Sequence, residues 1–141
     1  MQMTMRWFGP DEDKIPLEHI RQVPGVEGVV GALYDVAVGD VWPVDKIKHL
    51  VGLAHQAGLK MEVIESVNIH DDIKIGLPSR DQYIENYQQT IRNLARFGVK
   101  VICYNFMPVF DWMKTEMNYI LPDGSLTMAF EKKGIDKSLE Q

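Results

Sequence analysis

Hydrophobic positions along this chain follow two alternating rhythms. Dense apolar runs rich in β-branched and aromatic residues fall at Met3 to Phe8, Val26 to Leu33, Lys60 to Ser66 and Val99 to Phe106. Between them, apolar residues recur at the three- and four-residue steps of an amphipathic helix. The pattern predicts four strands separated by three helices.

Punctuation along the chain supports those boundaries. Gly9-Pro10 and the acidic loop Asp11-Glu12-Asp13-Lys14 close the first strand; Pro16 suits a first helical position, with Leu17, Ile20 and Arg21 on a short helix ending before Pro24-Gly25. Pro43 opens the second helix, whose Val44, Ile47, Leu50, Val51 and Ala54 form one face, and Gly58 supplies its left-handed stop. A long loop is expected from Val67 to Pro78. Ser79 and Gln82 then stand at capping-box spacing, and Tyr83, Tyr87, Ile91 and Leu94 mark the buried face of a helix that stops at Gly98. Beyond Phe106 the rhythm changes. Asn118 to Leu121 and Ser125 to Met128 flank the turn residues Pro122-Asp123-Gly124 and predict a small hairpin.

Strands separated by helices pair in parallel through right-handed crossovers. The second run, Val26 to Leu33, is apolar enough to be buried on both faces rather than alternating. Neither a Gly-x-Gly-x-x-Gly loop nor a Gly-Lys-Ser/Thr phosphate loop occurs, so the units read as part of an α/β barrel rather than a nucleotide-binding sheet. A complete (β/α)8 barrel takes ~250 residues. The expected fold is therefore the N-terminal half of a (β/α)8 TIM barrel over residues 1–130, with a small hairpin, followed by a charged, frayed tail over 131–141.

Composition narrows the function classes. A hydrophobic content of 45% with three Trp, five Tyr and five Phe describes a globular chain able to build a core. The net charge of −5 and the lack of a basic stripe argue against a nucleic-acid partner. No apolar run approaches the ~20 residues of a membrane helix, and the first residues lack signal-peptide character, so a cytosolic protein is expected. The single Cys103 has no intramolecular disulfide partner.

In α/β barrels chemistry gathers at the C-terminal ends of the strands. That rule selects Trp7 and Phe8, Tyr34 and Asp35, then Glu65, Ser66 and His70, then Tyr104, Asn105 and Phe106, with Arg6 one residue inside. His19, His49 and His55 fall on helices and read as surface residues. His70, followed by Asp71 and Asp72, is either a site residue oriented by a carboxylate or a loop histidine that caps the local backbone. Glu65 needs a partner if it points inward, and Arg6, taken to lie on a neighbouring strand, is the candidate; the two form either a structural ion pair or a substrate-binding pair in which Arg6 reads a carboxylate. Cys103 is expected to be a small buried hydrophobe. Tyr104, Phe106, Phe110 and Trp112 either roof the barrel mouth or wall a polyol pocket. No His-x-x-x-His, cysteine pair or Asp-rich loop marks a metal site.

Several segments carry a more specific signal. Phe8-Gly9-Pro10, Gly25-Val26-Glu27-Gly28-Val29-Val30, Glu65-Ser66-Val67, His70-Asp71-Asp72-Ile73-Lys74, Arg80-Asp81, Tyr83-Ile84-Glu85-Asn86-Tyr87, Cys103 through Trp112 and Leu121-Pro122-Asp123-Gly124-Ser125 closely resemble the mannonate dehydratase family, in order, from Met1 to about Phe130. The resemblance implies a xylose-isomerase-like barrel that removes water from D-mannonate in hexuronate (glucuronate) breakdown, giving 2-dehydro-3-deoxy-D-gluconate. It also implies a divalent metal, Mn2+ or Fe2+, as Lewis acid, held by His, Cys and Asp ligands beyond Gln141, and a homo-oligomeric assembly. On this basis Arg6 is expected to hold the mannonate carboxylate, His70 and Tyr104 to contact hydroxyls or relay protons, and Tyr34, Glu65 and Asn105 to line the substrate.

The same resemblance implies an N-terminal piece of a longer enzyme, inactive alone. Two other readings remain open: a metal-dependent sugar isomerase or epimerase on the same barrel, and a non-catalytic piece that self-associates through strands left unpaired at Met3 to Phe8 and Val99 to Phe106.

Overall fold

A computed structural model describes residues 2–107 and 114–135. The chain divides into two compact units, Met1–Phe106 and Met107–Gln141. In the first, strands β1 (Met3–Arg6), β2 (Val26–Gly31), β3 (Lys60–Asn68) and β4 (Val101–Asn105) form one parallel sheet in sequential order. The intervening helices are α1 (Leu17–Arg21), α2 (Val44–Gln56), and the pair α3 (Asp71–Lys74) and α4 (Arg80–Ala95). Register partners such as Met5 with Val29, Val30 with Val63, and Ile64 with Ile102 align the strands so that their C-terminal ends lie along one rim.

The core forms where helix faces meet the sheet. Ile47, Leu50 and Ala54 of α2 pack with Val29 of β2, Met61 and Ile64 of β3 and Leu94 of α4. Each is nearly or fully removed from water, which at about 25 cal/mol per Å² of apolar surface is the principal force holding these layers together. Trp7, expected on the rim, is instead part of this core at 3% exposure. Its amide donates to the Val30 carbonyl at 2.9 Å, continuing the β1–β2 pairing one residue past Arg6.

Most element boundaries lie within two residues of the sequence reading, and the exceptions have local causes. Pro16 and Pro43 sit just outside α1 and α2 with extended ψ of 153° and 140°, accepting the first helical hydrogen bonds through their carbonyls. Proline's fixed φ suits either position, and ψ decides between them. Gly58 ends α2 as expected, with φ of 74°. The loop after β3 contains the short helix α3, too brief for a periodic signal. The capping box does not form: the Ser79 hydroxyl donates to the Asp72 carboxylate and Gln82 to Asn86.

The buried face of α4 is also rotated from the expected one. Thr90, Asn93 and Leu94 are buried, whereas Ile91 is 40% exposed. Strand β2 is mostly buried but exposes Glu27. Strands β1 and β4 are the edges of the sheet, and Cys103 is exposed rather than buried. The burial pattern of β4, which leaves Val101, Cys103 and Tyr104 accessible, is that of a terminal strand.

In the second unit, β5 (Glu116–Ile120) and β6 (Leu126–Ala129) form the expected antiparallel hairpin, followed by a single 3₁₀ turn at Lys132–Gly134. Asp123 closes its turn by accepting from the Ser125 hydroxyl at 2.7 Å and amide at 3.0 Å, contacts that lower the Asp123 pKa. Phe110 and Trp112, assigned by sequence to the barrel mouth, lie outside the described residues.

Candidate functional site

At the ends of β1 and β2 the sequence places a cation among aromatic rings. The Arg6 guanidinium lies 4.7 Å from the centre of the Phe8 ring, donates through Nη1 to the Val30 carbonyl at 3.2 Å, and through Nη2 to the Tyr34 hydroxyl at 2.7 Å. These contacts fix the direction of the guanidinium but use only two of its five N–H donors. Tyr34 accepts from Arg6, which leaves its own O–H free to donate. Burial raises the Tyr34 pKa, opposed by the Arg6 charge and reinforced by Glu65, Asp13 and Glu12, so the phenol stays protonated at neutral pH. Arg6, Tyr34 and Glu65 therefore share one electrostatic neighbourhood.

The expected Arg6–Glu65 ion pair is absent among the described residues. Strand β2 separates β1 from β3, so the two side chains do not start from adjacent strands. Glu65 is exposed, and its register partner is Cys103 on β4. Just beyond, the register shifts between Glu65 and Val67, an irregularity that re-aims side chains at the strand's end.

The loop below Phe8 is held by one carboxylate. Asp13 accepts from the Ile15 amide at 2.8 Å and the Phe8 amide at 3.0 Å, and these two hydrogen bonds lower its pKa. After β2, Lys46 on α2 pairs with Asp35 at 2.7 Å, which likewise lowers the Asp35 pKa.

A second cluster forms past the end of β3. His70 caps α3: its Nδ1 accepts from the Asp72 amide at 3.1 Å. Its ring stacks on Tyr83 of α4, with centroids 3.7 Å apart and planes 12° from parallel. His70 therefore caps the local backbone, and it gains a stacking partner that the sequence did not indicate. Farther along the rim Tyr104, 65% exposed, tilts against Phe106 at 6.4 Å, and Asn105 pairs in register with Asn68.

Polar residues on α4 that sequence reading passed over hold this region together. Asn86 donates to the Gly39 carbonyl at 2.9 Å. Thr90 accepts from the Trp42 amide at 3.0 Å, and Asn93 donates to the Trp42 carbonyl at 2.9 Å. Tyr83, Asn86, Thr90 and Asn93 follow helical spacing, so a polar stripe was visible in the sequence; the apolar stripe beside it carried the stronger signal.

The six sequence candidates thus separate into local groups: Arg6 with Tyr34, His70 with Tyr83, Tyr104 with Phe106, and Asn105 beside Asn68, with Glu65 within electrostatic range of Tyr34. Among the described residues no group of three or more His, Cys, Asp or Glu side chains converges as a metal ligand set would. No described helix is long and apolar enough to cross a membrane.

Comparison with known proteins supplies an independent line. The sequence profile of the family described as D-mannonate dehydratase (UxuA) matches residues 1–141. The chain is 62% identical over 136 residues to a mannonate dehydratase of Thermotoga neapolitana, covering 96% of this chain and 38% of that protein. It is 60% identical over 141 residues to one from Lactococcus lactis subsp. cremoris, covering 100% of this chain and 39% of that protein. The crystal structure of mannonate dehydratase from Streptococcus suis serotype2 superposes with a TM-score of 0.90 at 48% identity, across 96% of this chain and 38% of that one. The chain therefore spans about two-fifths of the length of the proteins it matches.

Proposed function

Because the chain belongs to the D-mannonate dehydratase family, we propose that it forms one side of the substrate site of a hydro-lyase that converts D-mannonate into 2-dehydro-3-deoxy-D-gluconate and water. In this reaction the C2–H bond breaks, the C3 hydroxyl leaves with a proton as water, and the resulting enol becomes the 2-keto product. Negative charge builds toward the C1 carboxylate as C2 loses its proton, and a fixed guanidinium there stabilises that charge.

The observation that carries this reading is the placement of Arg6. Held by Phe8, Val30 and Tyr34 at the strand ends, it retains N–H donors for a carboxylate. Tyr34 stands beside it as a neutral hydroxyl donor. Glu65, Tyr104 and Asn105, farther along the rim, contact the polyol hydroxyls in this proposal, and His70 donates a hydrogen bond through Nε2 to a leaving or neighbouring hydroxyl.

The family points to a divalent ion, Mn2+ or Fe2+, but the described residues do not fit one. Its ligands are proposed to lie outside residues 1–141, and no step is assigned through it here. The 141-residue polypeptide alone is accordingly proposed to be inactive, and the unpaired edges of β1 and β4 are proposed to be covered by association with further polypeptide, including copies of the same protein. A place in cytoplasmic glucuronate breakdown follows from the same reading.

The test is Arg6→Ala in a full-length dehydratase bearing this segment, assayed with D-mannonate for the 3-deoxy keto acid. Loss of a charged hydrogen bond of about 1.5–3 kcal/mol predicts roughly a ten- to hundredfold fall in kcat/KM. Unchanged kinetics would remove the carboxylate assignment.

A further inference from the structure

We propose that Tyr83, backed by Gly39 and Asn86, is a positioning residue that fixes the neutral His70 imidazole in its Nε2–H form, presenting a single hydrogen-bond-donating nitrogen. The proposal deepens the functional reading above and rests on it for the role of His70, but its geometry stands apart from that role.

Three contacts restrict the ring. The Asp72 amide donates to Nδ1 at 3.1 Å, so in the neutral ring Nδ1 is the acceptor and the proton resides on Nε2. The Asp72 carboxylate does not compete effectively: Oδ1 stands 3.6 Å from Nδ1, and its other oxygen takes the Ser79 hydroxyl. The hydrogen bond alone would still allow the imidazole to tilt. Stacking on Tyr83 at 3.7 Å and 12° fixes the plane.

The opposite constraint comes from the β2–α2 loop. Gly39 has φ of 93°, and a Cβ there would lie 2.6 Å from Tyr83 Cδ1 and 2.8 Å from His70 Cδ2. Its backbone thus packs against both rings at once, an approach that only glycine permits. Asn86 holds that backbone in place through the Gly39 carbonyl. The imidazole is bounded on one face by Tyr83, along an edge by Gly39, and at Nδ1 by a main-chain amide. Nothing in local capping requires a stacked aromatic or a loop glycine, whereas a hydrogen-bond donor of fixed tautomer and direction requires such support.

The experiment is 15N NMR of the His70 side chain in the 141-residue polypeptide at about pH 8, with the neutral ring verified by nitrogen shifts that no longer change at higher pH. The expected wild-type result is an Nε2–H tautomer with ring protons shifted upfield by the Tyr83 ring current. Tyr83→Phe keeps both signatures. Tyr83→Leu, which keeps an apolar side chain but removes the ring, loses the upfield shift and moves the nitrogen shifts toward a tautomer mixture, and Gly39→Ala moves the nitrogen shifts likewise with the tyrosine present. A wild-type Nδ1–H form, an averaged tautomer, or nitrogen shifts unchanged in Tyr83→Leu would overturn the proposal. If Tyr83→Leu or Gly39→Ala fails to fold, Tyr83→Met supplies the same loss of ring current and tautomer, and an Nδ1–H or averaged wild-type ring still overturns the proposal.

A kinetic arm separates this proposal from the role of His70. In a full-length dehydratase, Tyr83→Leu is expected to lower kcat about tenfold or more with little change in KM, and Tyr83→Phe to restore it. If His70→Ala leaves kcat unchanged, the hydrogen-bond-donor reading of His70 falls, while the NMR result still decides whether Tyr83 sets the tautomer.

Discussion

The two ends of the candidate rim are built on different principles. At the β1/β2 end, Arg6 and Tyr34 are held by a ring face and by single hydrogen bonds, with Tyr34 52% exposed. Past β3, His70 is stacked, capped and backed by a loop whose backbone is tied to α4 through Asn86, and through Thr90 and Asn93, both buried. The first arrangement suits a charge that tightens on a ligand. The second is formed before any ligand arrives, because buried polar groups tolerate little departure from their partners.

The comparison breaks most readily at the buried anchor. Thr90→Val leaves the buried Trp42 amide without its acceptor, and the expected loss is about 1–3 kcal/mol, read as a lower denaturant midpoint with an unchanged slope. If the midpoint does not move, the anchor is not what fixes the loop.

At the exposed end, Tyr34→Phe removes the Arg6 contact but should change stability by less than about 1 kcal/mol, because solvent replaces an exposed partner. Its effect should appear instead as a higher KM for D-mannonate in a full-length enzyme. A stability loss equal to that of Thr90→Val would erase the distinction between the two ends.

The smallest effect is expected from pH. The pKa of Asp13 is lowered in the folded chain below its ordinary 3.8 by the Ile15 and Phe8 amides, so its contribution is complete above that value and lost as pH falls through the lowered one. Asp13→Asn should therefore narrow the stability difference between neutral pH and about pH 3 slightly, since Asp13 is only partly buried and solvent screens its contacts. A wider difference in the variant would contradict the sign of the shift.

Much of the architecture was legible because periodicity, prolines and glycines act locally. The four strands, the long helices α2 and α4, the hairpin and the stop at Gly58 depend on neighbours within a few residues, and all appear where the pattern puts them. Ile91 and Thr90 show the limit of that reading. Hydropathy buries the isoleucine, but the helix turns the threonine inward because Trp42, far away in sequence, has an amide to satisfy. Cys103 shows another, since its apolar neighbours suggested burial while the edge position of β4 leaves it exposed.

The candidate site divides in the same way. Sequence alone determined the parallel α/β layout and the family to which the chain belongs, and it nominated Arg6, Tyr34, Glu65, His70, Tyr104 and Asn105 as candidates. Which of these residues touch was decided only by the tertiary structure. Arg6 meets Tyr34 rather than Glu65 because strand order interposes β2, and His70 meets Tyr83 because α4 folds back across the β2–α2 loop. Hydrogen bonds and ring contacts reach only a few ångströms, and residues distant along the chain come within that range only through packing of the whole unit.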